Sequence, residues 1–187
     1  MGNNWKITDT LTKVFADEVP DGQGSIRLST LHRETVSCVI AYFGTADWGR
    51  YWKVSVKAPE KIETRLRRVE LVPSAYPCHK EQDDNYLRIV PGMYPDLLRD
   101  LDTEDDGAGK KYLTKEVPGQ WRSLWLDVTV DAELAGGDYA IVIETETEDG
   151  EKETLKADLH VVDASLPPQK LLHTESVSYT HLTLPTT

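Results

Sequence analysis

Alternation of apolar and polar residues with a period of two runs through much of this chain and restricts what it can fold into. Residues 121–130 read WRSLWLDVTV, in which Leu124, Leu126 and Val128 fall on one face. Successive side chains of a strand point to opposite faces, so this pattern predicts a strand with one apolar face. A long, capped helical pattern does not occur, although residues 94–101 have room for one helical turn.

Similar segments recur between turn residues. The last two are joined by Asp149-Gly150, a dipeptide suited to the positive φ angles of a type I′ hairpin turn. The predicted strands cover residues 25–31, 34–43, 50–57, 62–72, 86–90, 121–130, 139–147 and 151–162. Short strands separated by turns predict an all-β fold, an antiparallel, immunoglobulin-like β-sandwich. The predicted core residues are Trp52, Trp121, Trp125, Tyr139, Ile141 and Ile143.

The predicted sandwich occupies residues 25–163 and follows a lead-in over residues 1–24. After it, Pro167-Pro168 stiffens the exit, because proline fixes φ and restricts the residue before it. We expect residues 164–176 to be a linker and the first strand of a truncated (β/α)8 barrel. Residues 177–187 read VSYTHLTLPTT, which matches one reading frame of a transposase sequencing adapter, so we interpret them as an adapter-derived artefact.

Charge and composition exclude several kinds of partner. The formal net charge of -11 leaves no excess of lysine and arginine for nucleic acid or anionic membranes. The chain starts without the apolar stretch of a signal peptide and has no segment long enough to span a bilayer. A cytoplasmic location is therefore expected, with export left open if the start codon is misassigned. Cys38 lies in an apolar run and is expected to be a buried thiol.

Motifs for metals and cofactors fail at their essential positions. Residues 102–111 form a predicted exposed acidic loop that imitates the start of an EF-hand. Its twelfth position is Leu113, where a bidentate glutamate is needed, and two cysteines provide neither a disulfide framework nor metal spacing. Residues 107–111 lack the spacing of a phosphate-binding loop. We therefore predict no metal and no cofactor.

Aromatic residues suggest one candidate surface. Trp48, Tyr51 and Trp52 could provide flat rings for stacking against a sugar, with Trp48 as the best candidate, or they could simply pack in the fold. Of the histidines outside the tail, we interpret His32 and His79 as surface residues.

His173 and Glu175 follow the apolar pair Leu171-Leu172. At positions i and i+2 of a barrel strand they would project together into a pocket. They are then predicted substrate-binding residues; if the barrel interpretation fails, they are only polar tail residues.

Three parts of the chain carry a resemblance to a known family: residues 84–88 with 91–98, residues 121–130 with 137–139, and residues 162–168 with 171–175. Together they resemble the amino-terminal portion of glycoside hydrolase family 123-like proteins. The resemblance implies a β-sandwich that precedes a (β/α)8 barrel, joined to it by the Leu-Pro segment. Active members cleave β-linked N-acetylgalactosamine, using the acetamido group of the substrate as nucleophile with an Asp-Glu pair. That pair belongs to the barrel beyond Ser176, so no catalytic residue is assigned and the fragment is expected to be inactive.

The resemblance predicts an N-terminal accessory domain that supports a missing catalytic barrel. Its expected partners are carbohydrate in the full-length parent and, within the same polypeptide, the barrel itself. An exposed apolar patch is expected where the barrel docks. Two alternatives stay open at this point: a free-standing carbohydrate-binding module, and a non-catalytic immunoglobulin-like interaction domain.

Overall fold

The computed structural model describes residues 4–45, 50–78, 86–105, 107 and 109–167. Within these residues the chain forms eleven strands and no helix, which confirms the all-β prediction. The strands are β1 Trp5–Thr8, β2 Ser25–His32, β3 Thr35–Phe43, β4 Tyr51–Lys57, β5 Ile62–Ser74, β6 Gly92–Asp100, β7 Thr103–Asp105, β8 Lys110–Lys115, β9 Trp121–Val130, β10 Gly137–Thr147 and β11 Lys152–Ser165.

Two sheets form the predicted sandwich. The five-stranded sheet has the order β1-β3-β9-β5-β6, and the six-stranded sheet has the order β2-β11-β10-β4-β8-β7. Neighbouring strands are antiparallel, as predicted, except that β2 runs parallel to β11 with Leu28 opposite Leu159. The parallel pair arises because the chain crosses from one sheet to the other between β1 and β2. Local patterns carry no information about such a crossing.

The core lies between the sheets and follows from the period of two. Leu124, Leu126 and Val128 of β9 face Ile141 and Ile143 of β10, and all five are fully buried. Burial of a side chain of this size stabilises the fold by about 1.5–3 kcal/mol.

The predicted aromatic core residues divide between two places. Trp52 is buried in the core, and Tyr139 packs at its margin. Trp121 and Trp125 belong to the opposite face of β9, where they contribute to a second cluster outside the sandwich. Alternation requires this arrangement, because odd-numbered residues of β9 cannot share a face with Leu124 and Leu126.

Edge elements differ most from the sequence-based expectations. Residues 94–101, which have room for one helical turn, instead belong largely to β6, which pairs with β5 through a register shift between Glu70 and Leu71. Pro95 is tolerated because β6 is an edge strand. The strand predicted for residues 86–90 is also wrong. In place of a strand ladder, the Tyr94 hydroxyl donates to the Val90 carbonyl at 2.6 Å.

Two predicted loops contain more order than expected. The described residues of the acidic loop, 102–105, 107, 109 and 110, are exposed, but the loop includes β7, which pairs with β8 so that Glu104 lies opposite Lys111. The β10–β11 hairpin is confirmed, whereas its predicted type I′ turn is wrong. Gly150 has φ 83°, Asp149 has no positive φ, and the Thr147 amide donates to the Glu151 carbonyl at 2.9 Å. This is the three-residue connection in which glycine takes the left-handed position.

The N-terminal stretch belongs to the sandwich. β1 pairs with β3, with Ile7 opposite Ile40, and adds a strand ahead of residue 25. The chain then crosses the outer face of the five-stranded sheet, where the Trp121 amide donates to the Ala16 carbonyl at 2.9 Å. Val14 is thereby buried against Val39. This crossing converts an open sheet face into the wall of a groove.

Candidate functional site

Four of the residues singled out in the sequence lie outside the described part of the chain. They are Trp48, His79, His173 and Glu175. Their roles stay predictions, and the site must be sought among the described side chains.

Trp52 is unavailable for stacking on a ligand. Its side chain is only 2% exposed, and its indole Nε1 donates to the carboxylate of Glu116, itself 2% exposed, at 2.5 Å. The Arg50 guanidinium covers the ring at 5.2 Å from its centroid. The packing alternative therefore holds for Trp52. Tyr51, on the other face of β4, is 42% exposed.

The prediction that His32 lies at the surface is wrong. This residue ends β2 and is only 6% exposed, with Nε2 3.7 Å from Oδ1 of Asp163. Its carbonyl accepts a hydrogen bond from the Leu166 amide at 3.1 Å. The burial follows from the parallel pairing of β2 with β11, which continues past a register shift to place His32 opposite Ser165.

Cys38 is the buried thiol that the sequence predicts. It is fully buried on the inner face of β3. Burial, together with the negative charge of Asp127, raises the pKa of the Cys38 thiol to about 12. The thiolate is the reactive form of cysteine, so Cys38 is not a nucleophile at neutral pH.

A hydrogen-bonded cluster surrounds Asp127 on the outer face of β9. Its carboxylate accepts from Ser37 Oγ at 2.7 Å, from the Trp125 indole Nε1 at 2.7 Å and from Arg67 at 2.5 Å. The side chains of Arg67 and Asp127 are only 22% and 16% exposed. Solvent therefore screens this ion pair less than the fully exposed pairs of the surface. Its structural effect is to fix the orientation of the Trp125 ring.

Beside this cluster lies a groove of about 200 Å³, which we call the outer-face groove. Val39, Val69 and Ser123 of the five-stranded sheet form its floor, and Trp125 lies among them. One wall is the crossing N-terminal stretch with Thr12 and Lys13, and the opposite wall is β6 with Asp96 and Leu98. The groove thus combines an aromatic ring and aliphatic surface with hydroxyl, ammonium and carboxylate groups. Sequence reasoning missed it because five separate chain segments build it: the N-terminal stretch, β3, β5, β6 and β9.

The outer face of the six-stranded sheet carries lysines whose charge is balanced. Lys57 pairs with Glu144 at 2.7 Å, and Lys152 pairs with Glu146 at 3.0 Å. These side chains are at least 42% exposed, and such pairs contribute little to stability. We interpret this face as solvated surface.

Exposed apolar side chains gather at the end of the sandwich where β5 stops and β6 starts. Leu11, Val19 and Leu87 are 86%, 71% and 73% exposed and line one depression together with Phe15 and Pro20. Arg88 fixes this end by pairing with Asp17 and by covering the Phe15 ring at 3.9 Å. We call Leu11, Val19 and Leu87 the end patch.

Among the described residues, no group of three histidine, cysteine, aspartate or glutamate side chains is placed to hold a metal ion. The same part of the chain contains no helix of the length and apolar character needed to cross a bilayer.

The likeness to known structures concerns the fold. A family 123 glycoside hydrolase from Clostridium perfringens, solved for its hydrolysis of glycolipid glycans, superposes with a TM-score of 0.58 at 10% identity. The alignment covers 87% of this chain, and the chain spans only 28% of the length of that hydrolase. At this identity the similarity is one of fold. No protein-family model and no curated protein matches the chain.

Bacterial surface proteins align less well. The collagen-binding subdomain of the Enterococcus faecalis surface protein ACE has a TM-score of 0.40 at 6% identity, covering 73% of this chain and 93% of that one. The major pilin subunit of Bacillus cereus has a TM-score of 0.39 at 8% identity, covering 85% of this chain and 40% of the pilin. Nothing about the function of this chain follows from scores this low.

Proposed function

We propose that this chain is the N-terminal β-sandwich accessory domain of a longer glycoside-hydrolase-like protein, in which it braces a catalytic barrel. The observation that carries the proposal is the superposition on the family 123 hydrolase over 87% of this chain but only 28% of that protein. An accessory domain is expected to match one part of a larger enzyme in this way. Fold likeness does not transfer activity by itself, so the glycosidase character of the parent needs its own test.

The exit from the sandwich suits a bracing role. β11 continues beyond its register shift to Ser165, and the Leu166 amide then donates to the carbonyl of His32. Pro167 follows at once and limits rotation of the backbone. The direction in which the chain leaves the sandwich is therefore fixed. Val162 and Leu166 are 40% and 38% exposed at this point, which provides apolar surface for a following domain.

A long sequencing read through the locus tests the proposal directly. We expect the codons after Glu175 to encode alternating strand and helix patterns over roughly 250 residues, the usual size of a (β/α)8 barrel. A stop codon just after Ser176 would overturn the proposal, and so would a downstream series of further sandwiches.

Hydrolase assays test whether the full-length parent hydrolyses a glycoside that this chain alone does not. The 187-residue chain is expected not to release chromophore from a β-N-acetylgalactosaminide, whereas the full-length parent is expected to release it. Hydrolysis by the chain alone, with the same specific activity after repeated purification, would contradict the accessory role. An inactive parent would leave the bracing role intact but remove its glycosidase assignment.

A further inference from the structure

We propose that the outer-face groove binds a single neutral saccharide ring, with Trp125 as the stacking surface and Lys13 and Asp96 as hydrogen-bonding groups. This site differs from the aromatic surface predicted around Trp48. It also does not depend on a downstream barrel, because every residue of the groove belongs to the sandwich.

The first step of the argument is the fixed orientation of Trp125. The indole Nε1–H is held by Asp127, which is in turn held by Ser37 and Arg67. A ring that is already fixed loses little conformational entropy when a ligand packs on it. Trp125 is also only partly buried, in contrast with Trp121 on the same face, which is 7% exposed.

The second step is the chemistry of the groove. Sugar rings present an apolar face and a periphery of hydroxyl groups, so they need an aromatic or aliphatic surface edged by donors and acceptors. The apolar surface of the groove comes from Val39, Val69 and Trp125. The exposed side chains of Lys13 and Asp96 supply hydrogen-bonding groups from opposite walls. Small-molecule sites in general combine apolar lining with a few converging polar groups.

The third step is charge and size. Lys13 and Asp96 balance each other, and Asp127 is already paired with Arg67, so the groove has no net charge to attract an ion. This favours a neutral ligand over a phosphate or a carboxylate. A volume of about 200 Å³ is below the usual range of drug-sized pockets and suits one ring, not a buried oligosaccharide. The dissociation constant for a single ring is therefore expected in the millimolar range.

The experiment is a titration of the whole chain, followed by the amide and indole signals in two-dimensional NMR spectra. The probes are N-acetylgalactosamine, galactose and glucose, with cyclohexanol as an apolar ring of similar size. We expect saturable shifts for at least one sugar, confined to the Trp125 indole and to Thr10, residues 12–14 and residues 95–98. Saturable shifts that map to Tyr51 or to the end patch would overturn the proposal. No saturable shift with any sugar, or saturation by cyclohexanol alone, would do so as well.

Matched variants test whether the Trp125 ring itself is needed for sugar binding. Trp125→Ala is expected to weaken binding at least tenfold, while Tyr51→Ala removes an exposed aromatic ring from the other sheet and is expected to leave binding unchanged. If Trp125→Ala fails to fold, Leu98→Trp fills the groove from an edge strand and is expected to abolish binding in a folded protein. Unchanged affinity in folded Trp125→Ala or folded Leu98→Trp would exclude the groove. A failed glycan titration would leave the accessory-domain proposal standing, because that proposal is tested by the downstream sequence.

Discussion

The hydroxyl groups of Tyr42 and Thr114 lie 2.7 Å apart and join the two sheets inside the core. Both side chains are 1% exposed, and the Trp5 ring stacks on Tyr42 with 4.8 Å between centroids. In Tyr42→Phe the Thr114 hydroxyl loses this partner in the interior. We expect the free energy of unfolding, measured with urea, to fall by about 1–3 kcal/mol.

A double-mutant cycle isolates this hydrogen bond. Thr114→Val removes the other hydroxyl, and the double variant leaves neither group unpaired. The loss in the double variant is therefore expected to be smaller than the sum of the two single losses. Strict additivity would show that the two hydroxyls do not interact across the core.

The two cysteines are expected to differ sharply in reactivity. Cys38 is fully buried and the pKa of its thiol is raised to about 12, whereas Cys78 is only half-buried beside the Ile89 carbonyl. At pH 8 a thiol reagent is expected to modify Cys78 rapidly and Cys38 only on unfolding. Cys78→Ser should leave a folded chain without a rapid phase. A rapid phase in that variant would contradict the burial of Cys38.

The raised pKa of Cys38 makes the free energy of unfolding depend on pH in the alkaline range. The folded-state pKa of Cys38 lies above its ordinary value of 9.0, so the unfolded chain releases this proton first. The stability that the buried Cys38 thiol contributes is fully present below pH 9 and is lost as the pH rises toward 12. Burial also raises the pKa of Tyr42 above its ordinary value of 10.0, with the same sign. Urea unfolding across this range is expected to show falling stability, with a weaker dependence in Cys38→Ala.

Strand patterns predicted the centre of this fold and missed its periphery. β9 and β10 have clear alternation, and their inner residues are buried as the period of two requires. β6 and β7 are edge strands whose existence depends on the neighbours β5 and β8. Pro95 and the acidic residues around Thr103 locally disfavour strand, and pairing overrides that preference.

The candidate site was less predictable than the fold. Trp125 was predicted to be a core residue, but its alternation with Leu124 and Leu126 places it on the outer face of β9, away from the inter-sheet core. The wall formed by Lys13 could not be foreseen, because residues 9–21 have no period that fixes their path. Their position depends on tertiary contacts such as the hydrogen bond from Trp121 to Ala16.

Asp127→Asn tests the cluster that fixes Trp125. An amide keeps the shape of the carboxylate but loses the charge that pairs with the half-buried Arg67. We expect the free energy of unfolding to fall by about 1–3 kcal/mol. Asp100→Asn is the matched control, because Asp100 is 73% exposed and pairs with Arg65 at the surface. Equal effects of the two substitutions in thermal or urea unfolding would show that the Asp127 cluster contributes no more to stability than the exposed Asp100 pair.

Gly44→Ala tests a close approach of two backbone segments. A Cβ at this position would lie 2.2 Å from the Val117 carbonyl oxygen, and the Gly44 carbonyl accepts from the Gly119 amide at 2.8 Å. The backbone must therefore shift, and we expect destabilisation of about 1–3 kcal/mol or more. Gly92→Ala introduces the same methyl group where no atom lies within 4 Å. Gly92→Ala is expected to leave the free energy of unfolding unchanged. A similar decrease in both variants would contradict the steric explanation.

The end patch is expected to make the isolated chain associate. Leu11, Val19 and Leu87 lie within one exposed region, and contiguous apolar surface of this kind favours contact between molecules. Leu87→Asp places a charge in the patch without touching the core, so association measured by sedimentation should fall while the melting temperature is preserved. Leu166→Asp adds the same charge at the opposite end of the sandwich, in the surface proposed to meet a following domain, and so distinguishes the two apolar surfaces. If Leu166→Asp alone abolishes association, the self-contact lies at the exit from β11, and the end patch has no part in it.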